Sequence, residues 1–366
     1  VSFCYPLSSM AEPNVAATAA PPGAAPAAAA LPPAAAVLVI RLSALGDVLF
    51  ALETVASLKR ERPDVQVDFL VEDRFAALLQ DHPQLRRVLI YPRRHLLAVP
   101  GSLLRLRRER WDAVLDLHGI LKSALQVGFT RAGRKLGFAA PAAREGSHLV
   151  YDQAVVLPSP LPHRADGGYH LLRALGLRGE RCAPQLAAVP PPAELLAGLA
   201  RPIVLLHPGT SAFAVFKRWP VERFAALAQR LSARGLGVAV SHGPGEAGLA
   251  QAVAQAAPRA RVVDGGALGL RGLAGVAREV DVMVAADTGP LHLAAAVGTR
   301  CVALFGPKDT ARFGPRDHGN VHHEVLFHDV PCRPCTRRDC ASPQCVLGVG
   351  VDAVEAAVLR ALVVSR

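Results

Sequence analysis

Short apolar runs alternate with amphipathic stretches along most of the chain. Val37–Leu42 is nearly continuous in apolar residues, as a strand buried on both faces of a parallel sheet requires. Val65–Val71, Arg87–Pro92 and Ala113–Gly119 repeat that run, and Val48–Arg60 between them has helical periodicity. The alternation predicts an α/β fold with a parallel sheet. Right-handed crossovers would put loops such as Ser43–Asp47 at the carboxyl ends of the strands, where ligands bind. The proline-rich Pro184–Pro192 interrupts the pattern and reads as an interdomain linker. The pattern restarts at Ile203–Thr210, with a helix expected over Pro220–Arg234. GVAVSHG, RVVDGG, the run after Asp281 and Cys301–Gly306 then follow as strands. Two Rossmann-like domains, 37–183 and 184–366, are therefore expected to face each other across a cleft.

Residues 1–36 break both periodicities. From Ala11 to Ala36, 20 of 26 positions are Ala or Pro. The uncharged run Pro13–Ile40 is long enough for a membrane span, but its prolines and weakly hydrophobic alanines oppose a transmembrane helix, and no basic segment precedes it. The stretch reads as a disordered leader, compatible with initiation at Met10.

The strand–corner–helix stretch Asp281–Gly298, DVMVAADTGPLHLAAAVG, carries the first candidate chemistry. The first N–H groups of such a helix are unpaired and, with the helix dipole, attract an anion such as phosphate. Asp287 opens the corner and Thr288 adds a hydroxyl. Gly289 would admit a ligand close to the backbone. His292 lies one turn in, facing a ligand or the core. Asp47, in SALGD, is either a first-turn carboxylate complementing a helix dipole or a general base at the end of the first strand. In HPGTSAFAVFKRWP, Thr210, Ser211 and Lys217 combine hydroxyls and a point charge beside a strand end, which suits a pyrophosphate. In SHGPGE, Glu246 can accept from ribose hydroxyls or cap a helix.

Charge adds a partner class. The net charge of +11 points to an acidic partner: nucleic acid, anionic lipid or a phosphorylated substrate. Eight arginines lie between Arg86 and Arg110, so a glycolipid or membrane patch competes there with an ordinary solvated face. Few aromatics accompany them, which disfavours nucleic acid. Cys332, Cys335, Cys340 and Cys345 have the spacing C-x2-C-x4-C-x4-C, either a reduced cluster or a structural zinc site. No Asp-x-Asp occurs, so fixed donors and Lys217 would have to neutralise a leaving pyrophosphate, with no carboxylate pair for a metal. No G-x-G-x-x-G follows the first strand of either half, against a dinucleotide-dependent oxidoreductase.

SALGDVL, HPGTS…KRWP, GPGE and ADTGPLHLAAAVG with CVALFGP, in this order from about Val37 to the C-terminal helix, resemble the ADP-heptose:lipopolysaccharide heptosyltransferases, glycosyltransferase family 9, of GT-B fold. DLHGILKSAL and Ala143-Arg144-Glu145 resemble the heptosyltransferase I branch. The excursion Ala212–Phe216 and His118 depart from it. The resemblance implies transfer of heptose from ADP-L-glycero-D-manno-heptose to Kdo in the inner core of lipid A, with inversion. Asp47 would be the base. Thr210, Ser211, Lys217, Thr288 and Gly289 would hold the pyrophosphate, Glu246 the nucleoside, and Asp287 and His292 the donor sugar side. Lys122 and Arg144 would meet the acceptor. It implies no required cofactor beyond the ADP-sugar co-substrate, no nucleic acid, and a cytoplasmic enzyme peripheral on the anionic inner-membrane surface. A heptosyltransferase II-like enzyme acting on later core oligosaccharide, or on another sugar, stays open. So does a non-catalytic nucleotide- or nucleic-acid-binding protein.

Overall fold

In the computed structural model, which describes residues 31–363, the apolar runs form two parallel sheets. The first holds β1 (Ala36–Ile40), β2 (Gln66–Glu72), β3 (Arg87–Tyr91), β4 (Arg110–Asp116), β5 (Arg131–Phe138) and β6 (Gln153–Val155). The second holds β7 (Ile203–His207), β8 (Gly237–His242), β9 (Arg261–Asp264), β10 (Val282–Ala286), β11 (Arg300–Leu304) and β12 (Glu324–Leu326). Their orders, β3-β2-β1-β4-β5-β6 and β9-β8-β7-β10-β11-β12, are the same permutation. This is the doubly wound order, whose direction reverses beside the first strand.

The helices between strands are α1 (Leu45–Glu61), α2 (Asp73–Leu79), α3 (Val99–Arg108), α4 (Leu121–Phe129) and α5 (Asp166–Ala174) in the first half. In the second half they are α6 (Val221–Ala233), α7 (Ala247–Gln255), α8 (Gly265–Glu279), α9 (Gly289–Ala296), α10 (Thr310–Phe313), α11 (Gln344–Leu347) and α12 (Val351–Val363). Strands β5, β6 and β12 are absent from the hydrophobic pattern. In β5 only Leu136–Phe138 are buried, so polar residues mask it. The leader, expected through residue 36, falls outside the described residues up to 30. Leu31, however, is buried in the core, and Arg62 donates to its carbonyl at 3.1 Å, so the packed body starts before Val37.

One face of the first sheet packs on α1, α2 and α5 through Val39, Leu52, Phe69 and Leu172. That core continues into the second half through Leu273 and Ala274 of α8 and Leu293 of α9, so the halves share apolar packing. The opposite face packs on α3 and α4 through Leu106 and Val127. The proline-rich connection is extended and lies along α8. Val189 N–H donates to Arg271 O at 3.1 Å, and Arg271 Nε donates to Ala187 O at 3.0 Å. Gly275 makes room for it, because a Cβ there would collide with the Val189 carbonyl.

Gly→Ala inside a helix ordinarily gains about 1 kcal/mol. At Gly275 the collision with backbone reverses the sign. Gly275→Ala is expected to lower stability by about 1–3 kcal/mol, read as an earlier urea midpoint. A later midpoint would refute the packing.

Candidate active site at the paired switch points

The strand order reverses between β1 and β4 in one sheet and between β7 and β10 in the other. Helices α1 and α9 begin at these points, and their N-termini meet. A Cβ on Gly46 would stand 2.7 Å from His292 Cδ2, and one on Gly289 would stand 2.6 Å from Leu45 Cδ2. The missing side chain at Gly289 therefore lets the two helices approach closely. Neither helix has a side-chain N-cap. Thr288 Oγ1 donates back to Ala286 O at 3.1 Å, leaving the Gly289 and Leu291 N–H groups toward the gap.

Asp47 sits in the first turn of α1. Its carboxylate pairs with Arg41 and accepts from Arg164 Nε at 3.1 Å. Burial alone would raise its pKa, but the two guanidiniums outweigh burial and hold it well below the usual carboxylate range. Arg41 is 3% exposed, and burial lowers its pKa to about 10. Beside it, His118 Nδ1 lies 3.3 Å from the Leu42 N–H, and burial with Arg41 pushes its pKa down to about 2. Arg164 carries no signal in the sequence pattern. It stands in a loop before α5, and its N–H donates to Arg312 O of the second half at 2.9 Å.

Across the gap, Asp287 ends β10 and pairs with Lys217. Burial would raise its pKa, yet the His292 hydrogen bond and the Lys217 charge bring it to about 2. His292 Nε2 lies 3.4 Å from Asp287 Oδ1, and the ring meets Phe50 of α1 edge-on with centroids 5.1 Å apart. His292 thus packs between the halves as well as touching Asp287, and its Nδ1 is buried without a protein partner. Thr210 is buried, with Arg218 Nε donating to its Oγ1 at 3.3 Å, while Ser211 is exposed. Glu246 accepts from Gly243 N–H at 3.0 Å and lies over Gly209, where a Cβ would collide with its carboxylate. His207, 4.0 Å from Glu246, is driven by burial to a pKa of about 4 and is neutral near pH 7.

Two further cations come from the segment after β11, GPKDTARFGP, whose Gly and Pro bounds were its only signal. Lys308 feels both Lys217 and Asp287, and burial lowers its pKa. Among the described residues it has no carboxylate partner within salt-bridge distance. Arg312 feels Arg164, Asp47 and Arg144, burial lowers its pKa, and its Nε is buried without a partner. Arg41, Arg164, Lys217, Lys308 and Arg312 therefore face Asp47 and Asp287, an excess of positive charge between two helix N-termini. Such a gap is built for a polyanion.

The same segment clasps the first half. Arg316 donates to Asp166 at 2.7 Å and lies 3.7 Å from Glu53, a buried carboxylate that also accepts from Tyr169 Oη at 2.8 Å. At the carboxyl end of β2, buried Glu72 gathers Lys122 at 2.6 Å, Arg74 at 2.8 Å and Arg93 at 3.3 Å. Arg144 is exposed in the loop after β5, where its N–H donates to Gly119 O, beyond the end of β4, at 2.9 Å. The arginine run divides: Arg86 and Arg87 pair with buried Asp68 and are structural. The four C-terminal cysteines are not drawn into a metal-binding arrangement here. Among the described residues no group of three or more His, Cys, Asp or Glu side chains could hold a metal; Cys332 and Cys340 are exposed while Cys345 is buried.

Residues 103–345 match the model of glycosyltransferase family 9 (heptosyltransferase). The chain is 31% identical over 344 residues to lipopolysaccharide heptosyltransferase 1 of Pseudomonas aeruginosa, covering 83% of this chain and 87% of that protein. It is 27% identical to lipopolysaccharide heptosyltransferase 1 of Escherichia coli K12, over 75% of this chain and 88% of that one. Among solved structures, E. coli heptosyltransferase WaaC with ADP superposes with a TM-score of 0.72 at 23% identity, over 89% of this chain and 99% of that one. E. coli ADP-heptose LPS heptosyltransferase II superposes with a TM-score of 0.70 at 18% identity, over 89% and 98%. With two parallel-sheet domains of GT-B architecture, the chain belongs to glycosyltransferase family 9, the heptosyltransferases, and is a glycosyltransferase.

Proposed function

We propose that the protein transfers heptose from ADP-L-glycero-D-manno-heptose to the Kdo region of inner-core lipid A, by one in-line displacement with inversion. The observation that carries this reading is the opposition of Asp47 to an anion site built from Lys217, the α9 N-terminus and Lys308. Two of the relatives are lipopolysaccharide heptosyltransferases, and one superposed structure is titled as holding ADP. In this reading the diphosphate enters between the helix N-termini, drawing Lys217 from Asp287, with Thr210, Ser211, Thr288 and Gly289 as further donors. Glu246 takes the nucleoside, and Asp287 with His292 flanks the sugar. The anomeric carbon–oxygen bond to the diphosphate breaks as the acceptor oxygen attacks, and Asp47 takes the hydroxyl proton.

Asp47 paired with two arginines is a poor base, because proton transfer needs a pKa nearer the working pH. An acidic acceptor resolves this. Its carboxylate competes for Arg164, and Asp47 gains basicity only when the acceptor is in place. Lys122 and Arg144 lie on the acceptor side of the same rim. The enzyme would work in the cytoplasm at the inner face of the inner membrane; among the described residues no helix is long and apolar enough to cross it. The departures at Ala212–Phe216 and His118 leave a heptosyltransferase II-like acceptor open, and assaying both core acceptors decides it.

Incubation with ADP-heptose and Kdo2-lipid A is expected to release ADP, and Asp47→Asn to cut kcat by roughly 10²–10⁴-fold. Near-normal turnover in that variant would sink the mechanism. Lys217→Ala is expected to lower kcat by roughly 10²–10³-fold, as loss of a charge-stabilising donor does, with product analysis by mass spectrometry as the readout. Arg164→Gln removes one of the two cations depressing the Asp47 pKa. The acidic limb of kcat/KM, which reports the free enzyme, should move to higher pH, with a raised acceptor KM and rescue by Arg164→Lys. An unmoved limb would remove Arg164 from the mechanism.

A further inference from the structure

Seven of the fourteen exposed large hydrophobic side chains among the described residues lie in one neighbourhood. They belong to Leu96–Ala98, α3, α4 and the turn Ser147–Val150. These elements share one side of the first sheet: Val99, Leu106, Val127 and Val150 all contribute to the core on that face. On α4, Leu121, Leu125 and Phe129 are four residues apart and so form one stripe, 51%, 51% and 41% exposed, while Ala124 and Val127 face the sheet. Leu97, at 99% exposure, and Leu104 line the neighbouring segment, with Leu149 at 80% beyond α4. An unpartnered apolar ridge of this kind is unusual on a soluble surface and marks an interaction face.

Its charge identifies the partner. Arg93, Arg94, Arg105, Arg107 and Arg108 are exposed around the ridge, and no acidic residue occurs from Arg93 to Arg108. A second copy packed isologously would bring these arginine clusters together. Nucleic acid would leave the leucines in water and find no exposed aromatic there to stack on except Phe129. An anionic bilayer satisfies both features, since interfacial helices bury leucines at the acyl boundary and set cations among the headgroups.

We propose that this face, from Leu96 through α3 and α4 to Leu149, docks on an anionic lipid bilayer, with the leucines and Phe129 entering the interface. Leu121 and Leu149 stand at the cleft end of the face, beside Lys122 and Arg144. The proposal rests on the glycosyltransfer reading only for this orientation: a lipid-borne acceptor would reach Asp47 without leaving the membrane.

The full chain should co-sediment with acceptor-free phosphatidylethanolamine/phosphatidylglycerol vesicles, weakly with phosphatidylcholine vesicles, and less at high salt. Leu97→Glu with Leu125→Glu should weaken binding roughly tenfold or more, as loss of two buried leucines implies. Arg105→Ser with Arg108→Ser should weaken it several-fold and flatten the salt dependence. The exposed control Val156→Glu should bind as wild type. All variants should retain the wild-type melting temperature and turnover on a delipidated acceptor. Equal binding to both vesicle types, or wild-type binding by the double leucine variant, would overturn the proposal. So would a lipid-free dimer that Leu97→Glu dissolves. Vesicle binding without any heptose transfer would leave the docking face standing and count against the functional reading alone.

Discussion

Two helices begin at the same place, and neither has a side-chain N-cap. The N-termini of α1 and α9 meet through Gly46 and Gly289, each carrying roughly half a positive charge from its dipole. Five basic side chains add to this, and Asp47 and Asp287, with Asp309 beside Arg312, oppose it. The site without substrate is thus a set of provisional ion pairs, Arg41 and Arg164 on Asp47 and Lys217 on Asp287. A diphosphate satisfies the excess better than two carboxylates can, and its arrival would rearrange the pairs. Geometry and charge are coupled here: a side chain at either glycine would part the helices and spread the positive charge.

The rim of the first sheet, the acceptor side in the proposed reading, is organised on the same principle with one carboxylate at its centre. Glu72 is buried, and Lys122, Arg74 and Arg93 converge on it from three different elements. One carboxylate cannot neutralise three cations, so positive charge is left at the rim of the first sheet. The two halves thus carry separate cationic surfaces with Asp47 between them; under the proposed transfer one would take the leaving diphosphate and the other an acidic acceptor.

The strands that are buried on both faces, such as β1 and β10, were legible because burial leaves an uninterrupted apolar run. Strands β5, β6 and β12 were not, because edge positions and half-burial allow residues such as Arg131 and Arg134. In the site, Asp47 and Asp287 stood out because each follows a strand in a short polar corner, and Lys217 because it closes an excursion that begins with strand-end hydroxyls. Arg164 and Lys308 lie in loops and Arg312 in the single turn of α10, none of them in a periodic stretch, and only the tertiary fold brings them to the gap. The sequence shows the missing side chain at Gly289 but not that Leu45 of the other half takes up its place. Likewise Arg86 and Arg87, which look like surface charge, serve Asp68 inside the sheet.

Glu53 has a consequence for the tempo of turnover. It is 2% exposed and shared by Tyr169 of its own half with Arg316 and His318 of the other. Parting the halves would strand that carboxylate with a single phenol, and an uncompensated buried charge is costly. Separation must therefore let water reach Glu53, or stop short of breaking the Arg316 contact. Either route adds a barrier to substrate exchange that the chemistry itself does not contain. A latch on α1, about two turns from Asp47, would in the proposed reaction set how long the product stays after transfer.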